Sequence, residues 1–119
     1  MIALIRTSMG GYIGTSNPPY RDWDVNKLDL TVGGPNFIRL PDGSMWGSGR
    51  HNIRSEPKGK RSRTALARMT TSTYDPVLIL PSGGDNSYPG LVWHDDLLWI
   101  SYYSSHETNT SIYLAKVRI

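Results

Sequence analysis

The residues with the most chemistry to offer in this chain are its arginines. Thirteen Lys and Arg stand against ten Asp and Glu, a net charge of +3. Guanidinium is always charged and planar, and it grips a carboxylate through two parallel hydrogen bonds. Arg50 closes Ser48-Gly49-Arg50-His51. Its small neighbours Gly47, Ser48 and Gly49 leave room for a ligand to approach closely. Arg6 ends the apolar stretch that opens the chain, and Lys58, Lys60, Arg61 and Arg63 form one basic loop. Basic clusters of this kind are most often solvated surface. Four Trp and seven Tyr against a single Phe give aromatic surface with polar handles, which suits strands and sugar-facing rims.

Other chemistries find no support. There is no Cys, hence no disulfide framework, thiolate metal site or cysteine nucleophile, and this leaves the compartment open. His51, His94 and His106 are far apart and none has a partner at ligand spacing, so no metal site is expected. No phosphate-binding loop or dinucleotide fingerprint is present, and no cofactor is expected. No apolar run comes near the roughly 20 residues a membrane helix needs. Met1 to Ile5 is too short, and has no basic region before it, to read as a secretion signal.

These residues must be positioned by strands. With 119 residues, 38% hydrophobic and 19% charged, the chain has the length and apolar content of one domain. Helix formers are sparse, while Gly, Pro, Ser and Thr are abundant, which points to short strands and turns. Asp42-Gly43 is a tight-turn pair between residues 36–40 and 44–49. The second hairpin signal joins 90–93 to 97–103 across His94-Asp95-Asp96. That turn lacks Gly, so His or Asp must take the left-handed position. Ile2 to Arg6 pairs with Tyr12 to Thr15 around Met9-Gly10-Gly11. Leu28 to Val32 alternates at period two, and Ser111 to Val117 closes the chain as a strand. Arg63 to Met69 has good helix formers, but its neighbours are strands and strand is favoured. Pro76 to Pro81 reads as a short buried run fenced by prolines.

The two hairpins lie about fifty residues apart, the size of a propeller blade of four short strands. Strand counting gives an incomplete blade over residues 1–32, a complete blade over 33–81 and an incomplete blade over 82–119, about two to two and a half blades in all. A small self-contained sandwich accounts for the same strands equally well.

Two stretches carry a family likeness. Gly33-Gly34-Pro35-Asn36-Phe37-Ile38-Arg39-Leu40-Pro41-Asp42-Gly43 and Leu80-Pro81-Ser82-Gly83-Gly84-Asp85-Asn86-Ser87-Tyr88-Pro89-Gly90-Leu91-Val92-Trp93-His94-Asp95 resemble blade openings of bacterial sialidase-like proteins. The segment from Leu98 to Glu107 fits the same region of that family. Ser16 to Trp23 resembles a degenerate Asp-box with Pro at its Asp and Gly positions. The resemblance implies an all-β fold, the C-terminal part of a six-bladed β-propeller. It implies a glycoside hydrolase acting on a terminal sialic acid or a related sugar, with arginines holding the sugar carboxylate. It also implies a tyrosine nucleophile, an exception among glycosidases, which needs a base because a phenol has a pKa near 10. Carried onto this chain, it makes Tyr88 the nucleophile candidate, in Ser87-Tyr88-Pro89-Gly90-Leu91. Arg63 and Arg6 become carboxylate-binding positions, with Arg50 as the substitute if the register is off by one. Asp85, three residues from Tyr88, could assist it locally. The family's acid/base Asp, its base Glu and one Arg match nothing here, since Glu56 and Glu107 both stand elsewhere. The chain alone is therefore not expected to turn over a substrate.

The alternative from the residues is a non-catalytic glycan-binding module that presents Trp46, Trp93, Trp99, Tyr102 and Tyr103, its roughly two blades closed into a ring as a symmetric trimer. A nucleic-acid binder built on Lys58 to Arg63 has one short cluster in its favour and no RNA-binding aromatic motif. The expected partner is a carbohydrate, not nucleic acid or a membrane.

Overall fold

The computed structural model describes all 119 residues as ten strands and no helix. They form three antiparallel sheets in chain order. The first is β1 (Ile2–Thr7), β2 (Gly10–Thr15) and β3 (Asp24–Lys27). The second is β4 (Gly33–Arg39), β5 (Met45–Asn52), β6 (Ser62–Met69) and β7 (Tyr74–Ile79). The third is β8 (Asn86–His94), β9 (Leu97–Ser104) and β10 (Ser111–Val117). Each strand pairs with its sequence neighbour, so every sheet is an up-and-down meander. The expected all-β class holds, and Arg63 to Met69 is strand. The chain does not close into a ring by itself.

Turn chemistry sets the hairpins. Asp42 accepts hydrogen bonds from the Ser44 amide at 2.9 Å and the Ser44 hydroxyl at 2.7 Å. These bonds hold its carboxyl below the ordinary carboxylate range. Gly43, at φ 87°, turns the chain. The β8–β9 hairpin has a two-residue loop, because His94 faces Leu97 across the ladder. Asp95 and Asp96 both adopt positive φ, 48° and 56°, the backbone of a type I′ turn built without glycine.

The four-stranded sheet lies between the other two, and the period of two sends its side chains to both sides. Toward the first sheet it sends Met45, Ala67, Met69 and Tyr74, which pack with Ile13, Leu28 and Val32. Toward the third it sends Trp46 and Leu66, which pack with Leu98, Ile100 and Tyr102. Two cores of equal size therefore flank the central sheet. The outer sheets have one covered face each.

Two expectations are corrected. Residues 28–32 are not a strand; β3 lies earlier, at Asp24–Lys27. The alternating Leu28 and Val32 do point into the core, but from a loop that wraps Gly11. The Leu28 amide donates to the Gly11 carbonyl, and the Gly11 amide donates to the Leu30 carbonyl. A side chain at residue 11 would lie 2.8 Å from Val32. The run from Pro76 to Pro81 is likewise buried only at Leu80. Val77, Leu78 and Ile79 are 57%, 40% and 46% exposed, because β7 is the edge strand of its sheet. Pro76 is tolerated there since an edge strand need not donate on its outer side.

Candidate functional site

The antiparallel pairing brings together one set of strand ends. The end of β1 meets the start of β2, the start of β4 meets the end of β5, the end of β5 meets the start of β6, and the start of β8 meets the end of β9. A cleft of about 540 Å³ opens at this end between the first and second sheets. Its lining comes from Arg6 to Ser8, Thr31 to Gly33, Arg50 to Asn52, Lys58, Gly59 and Arg61 of the β5–β6 loop, and Ser62 at the start of β6. Arg6, Arg50, Lys58 and Arg61 are among these residues, and no Asp or Glu is. Of these four cations only Arg50 has a carboxylate partner, Asp85 at the border of the cleft, and the excess positive charge in one concavity attracts an anion.

Arg50 is held in a set pose. Its Nη1 lies 3.0 Å from Asp85 Oδ1 and donates to the Asn86 carbonyl at 3.4 Å. Its Nε and Nη2 lie over Gly33, where an added Cβ would stand 3.0 Å from Nε and 3.4 Å from Nη2. Those two nitrogens have no protein acceptor, and they are the donors left for a ligand. The Arg6 side chain makes no hydrogen bond or ion pair. Arg61 donates from Nε to the Glu56 carbonyl at 2.8 Å, which fixes the basic loop.

His51 forms the floor. It is 2% exposed, its Nδ1 lies 2.9 Å from the Thr31 carbonyl and its Nε2 lies 3.5 Å from the Tyr74 hydroxyl. Burial pushes its pKa below the ordinary value, so the imidazole is neutral. The carbonyl requires the proton on Nδ1, leaving Nε2 as acceptor for Tyr74.

Beside the cleft, the second and third sheets meet at Tyr88. Tyr88 is 65% exposed and sits at φ 48° after Ser87 at φ 148°, inside a bulge of β8. A bulky residue in the left-handed region is a genuine outlier. Three contacts impose it. The Ser87 hydroxyl donates to the Gly33 carbonyl. Asn36 Nδ2 donates to the Pro89 carbonyl at 3.0 Å. Gly34, itself at φ 51°, lets the Tyr88 ring lie against its backbone, where an added Cβ would be 3.1 Å from that ring. Buried Asn86 completes the seam, accepting from Thr64 Oγ1 at 2.8 Å and donating to Ser62 and Gly84.

The Tyr88 ring stacks on Tyr103, with centroids 6.2 Å apart. The Tyr103 hydroxyl donates to Asp85 Oδ1 at 2.7 Å, the same oxygen that pairs with Arg50. Desolvation, then the bond to Asp85, raises the Tyr103 pKa. One relay thus runs from the cleft through Arg50, Asp85 and Tyr103 to Tyr88. Asp85 touches Tyr103 rather than Tyr88, and the Tyr88 hydroxyl has no hydrogen-bond partner.

Of the residues singled out from the sequence, Arg6 and Arg50 share the cleft, and Asp85 and Tyr88 lie on its border. Arg63 does not line it. Its Nη1 donates to the Ser82 carbonyl, and its Nη2 lies 3.6 Å from Glu56, so it ties the basic loop to the approach of β8. Trp46 and Tyr102 are 6% and 4% exposed, which removes them from any ligand-presenting set. Lys58 and Arg61, read as solvated surface, belong to the cleft. Tyr103, named from the sequence only as a glycan-presenting aromatic, is also the link between Asp85 and Tyr88, and its position opposite Ser87 in the ladder is the signal that would have shown this. No family model matches the chain, and neither the curated proteins nor the solved structures contain a match to it.

Proposed function

We propose that this chain is the sugar-binding part of a sialidase-like glycoside hydrolase, and that its cleft takes an acidic sugar by the carboxylate. The observation that carries the reading is the pairing of Arg6 and Arg50 in one cleft lined by no Asp or Glu. A planar carboxylate accepts two hydrogen bonds from a guanidinium in a way that a neutral sugar cannot match. The aromatic pair Tyr88 and Tyr103, placed by the Arg50–Asp85 contact, gives the pyranose ring a face to rest on. In the sialidase-like reading Tyr88 is the nucleophile, delivered by its strained backbone. Its hydroxyl has no carboxylate to accept the proton, so the isolated chain binds without turnover.

That missing base also favours a second reading, in which the cleft belongs to a glycan-binding module with no hydrolytic role. Titration of the chain with a sialyl trisaccharide and with its asialo disaccharide separates the possibilities. Saturable binding of the acidic sugar alone is expected, and replacing both Arg6 and Arg50 with Ala should weaken it at least about tenfold, roughly 1.4 kcal/mol. Equal binding of both sugars overturns the carboxylate reading. Release of a fluorescent aglycone from a sialoside, lost in Tyr88→Phe with binding kept, would show that the chain is catalytic by itself.

A further inference from the structure

The outward face of the third sheet repeats a face that is buried inside the molecule. In the central sheet, Ile38, Trp46 and Arg68 stand in one cross-strand row on the side facing the third sheet, with Ser48 and Leu66 in the next row. In the third sheet, Val92, Trp99 and Lys116 form the corresponding row on the side facing away, with Ser101 and Leu114 next to them. The correspondence extends to side-chain geometry. Arg68 lies over the Trp46 ring at 5.4 Å, and Lys116 lies over the Trp99 ring at 4.0 Å. Trp46-Gly47-Ser48 with Leu66-Ala67-Arg68 thus recurs as Trp99-Ile100-Ser101 with Leu114-Ala115-Lys116.

The environments of the two sets differ. Trp46, Ser48 and Leu66 are 6%, 0% and 1% exposed under the third sheet. Leu114 and Val92 are each 59% exposed, and they border a groove of about 340 Å³ floored by Gly90, Ser101 and Trp99. A face with the same or chemically similar residues in the same rows calls for the same cover, a sheet stacked in the same sense. The far end of the molecule offers one. On the outer face of the first sheet, Ile5 pairs with Tyr12, and Gly14 pairs with Val25. Trp23 lies over Gly14, and Trp23 and Val25 are 39% and 49% exposed.

We infer that the outer face of the third sheet docks on the outer face of the first sheet of a second copy, so that two chains close head to tail into a ring of six sheets. The sheet-on-sheet interface present twice within each chain is continued twice between chains. The number of copies follows from closure. Rings of radially packed four-stranded sheets hold about 4–8 sheets, and a chain of three reaches that range only as a pair. The contact joins two different surfaces, so it is heterologous and needs closure to avoid open filaments. This inference does not depend on what the cleft binds.

Sedimentation and light scattering of the chain test it, with a species of twice 13.3 kDa expected. Leu114→Glu on one end, or Val25→Glu on the other, should each weaken self-association at least about tenfold. Both positions are exposed within the chain, so the folded monomer is retained, which circular dichroism checks. Mixing the two variants restores one intact interface, the Leu114→Glu chain's first sheet on the Val25→Glu chain's third, and a mixed dimer should appear where neither variant pairs alone. A strictly monomeric parent chain overturns the inference. A dimer indifferent to Val25→Glu, or variants that do not complement, overturns it too, since either means a different surface is used.

Discussion

At the residue scale, the most sensitive part of the cleft is its buried imidazole. His51 is kept neutral by burial, and the opposing pull of the Thr31 carbonyl on its charged form is the smaller effect. A histidine whose folded pKa lies below 6.5 takes up its proton more readily in the unfolded chain. Stability therefore rises with pH across that interval and is lost as pH falls through 6.5 toward the folded value. The expected result is a folding midpoint that drops between pH 7.5 and 5.5, with a slope no steeper than one proton, about 1.4 kcal/mol per pH unit. His51→Gln should be less stable at pH 7.5 and should have a flatter profile. Equal slopes in the two proteins would remove His51 as the cause. Arg50 stood out from its own segment, but its small neighbours do not make room for a ligand: Gly47 and Gly49 admit Tyr74 and Pro35, and Ser48 bonds to the Ala65 carbonyl. Its partner Asp85 and the relay through Tyr103 were not legible, because they depend on how β5 of one sheet meets β8 and β9 of the next.

At the scale of elements, glycine decides how closely strands approach their neighbours. Gly47 lies opposite Ala67 in the central sheet, and a Cβ added there would stand 2.5 Å from Cε2 of the buried Tyr74 ring. A ring fixed in the core cannot yield as a flexible side chain would, so Gly47→Ala should cost about 1–3 kcal/mol in chemical unfolding. An unchanged midpoint would mean that β7 swings outward freely. The strands read at 36–40, 44–49, 97–103 and 111–117 match β4, β5, β9 and β10 to within a few residues at their ends, because turn residues and alternation agree there. The first sheet's third strand was misread for a definable reason. Asp24–Lys27 contains one apolar residue, and its ladder role comes from pairing with β2 rather than from its own pattern. Leu28 to Val32 has the pattern of a strand but uses it to plug a core from a loop. The exposure of Val77 to Ile79 was equally hidden, since a sequence shows how apolar a strand is but not whether another sheet lies beside it.

At the scale of the whole molecule, the repeated face gives a comparison that needs no ligand. Leu66 and Leu114 hold equivalent places, one row from a Trp and a cation and opposite a Ser. Leu66 is 1% exposed and Leu114 is 59% exposed. In a folded monomer the two truncations must therefore differ. Leu66→Ala opens a cavity between packed sheets and should cost about 2–5 kcal/mol. Leu114→Ala removes a side chain already in water and should cost less than about 0.5 kcal/mol. When a second copy covers Leu114, its truncation acquires a cost that grows with protein concentration, because association stabilises the folded state by mass action. Thermal unfolding of both variants over a hundredfold range of concentration reads this directly. Convergence of the two losses at high concentration is expected if the outer face completes its interface in solution. A Leu114→Ala loss that stays small at every concentration would mean that this face is never covered by its own kind, and that the three sheets are stable with one apolar side open to water.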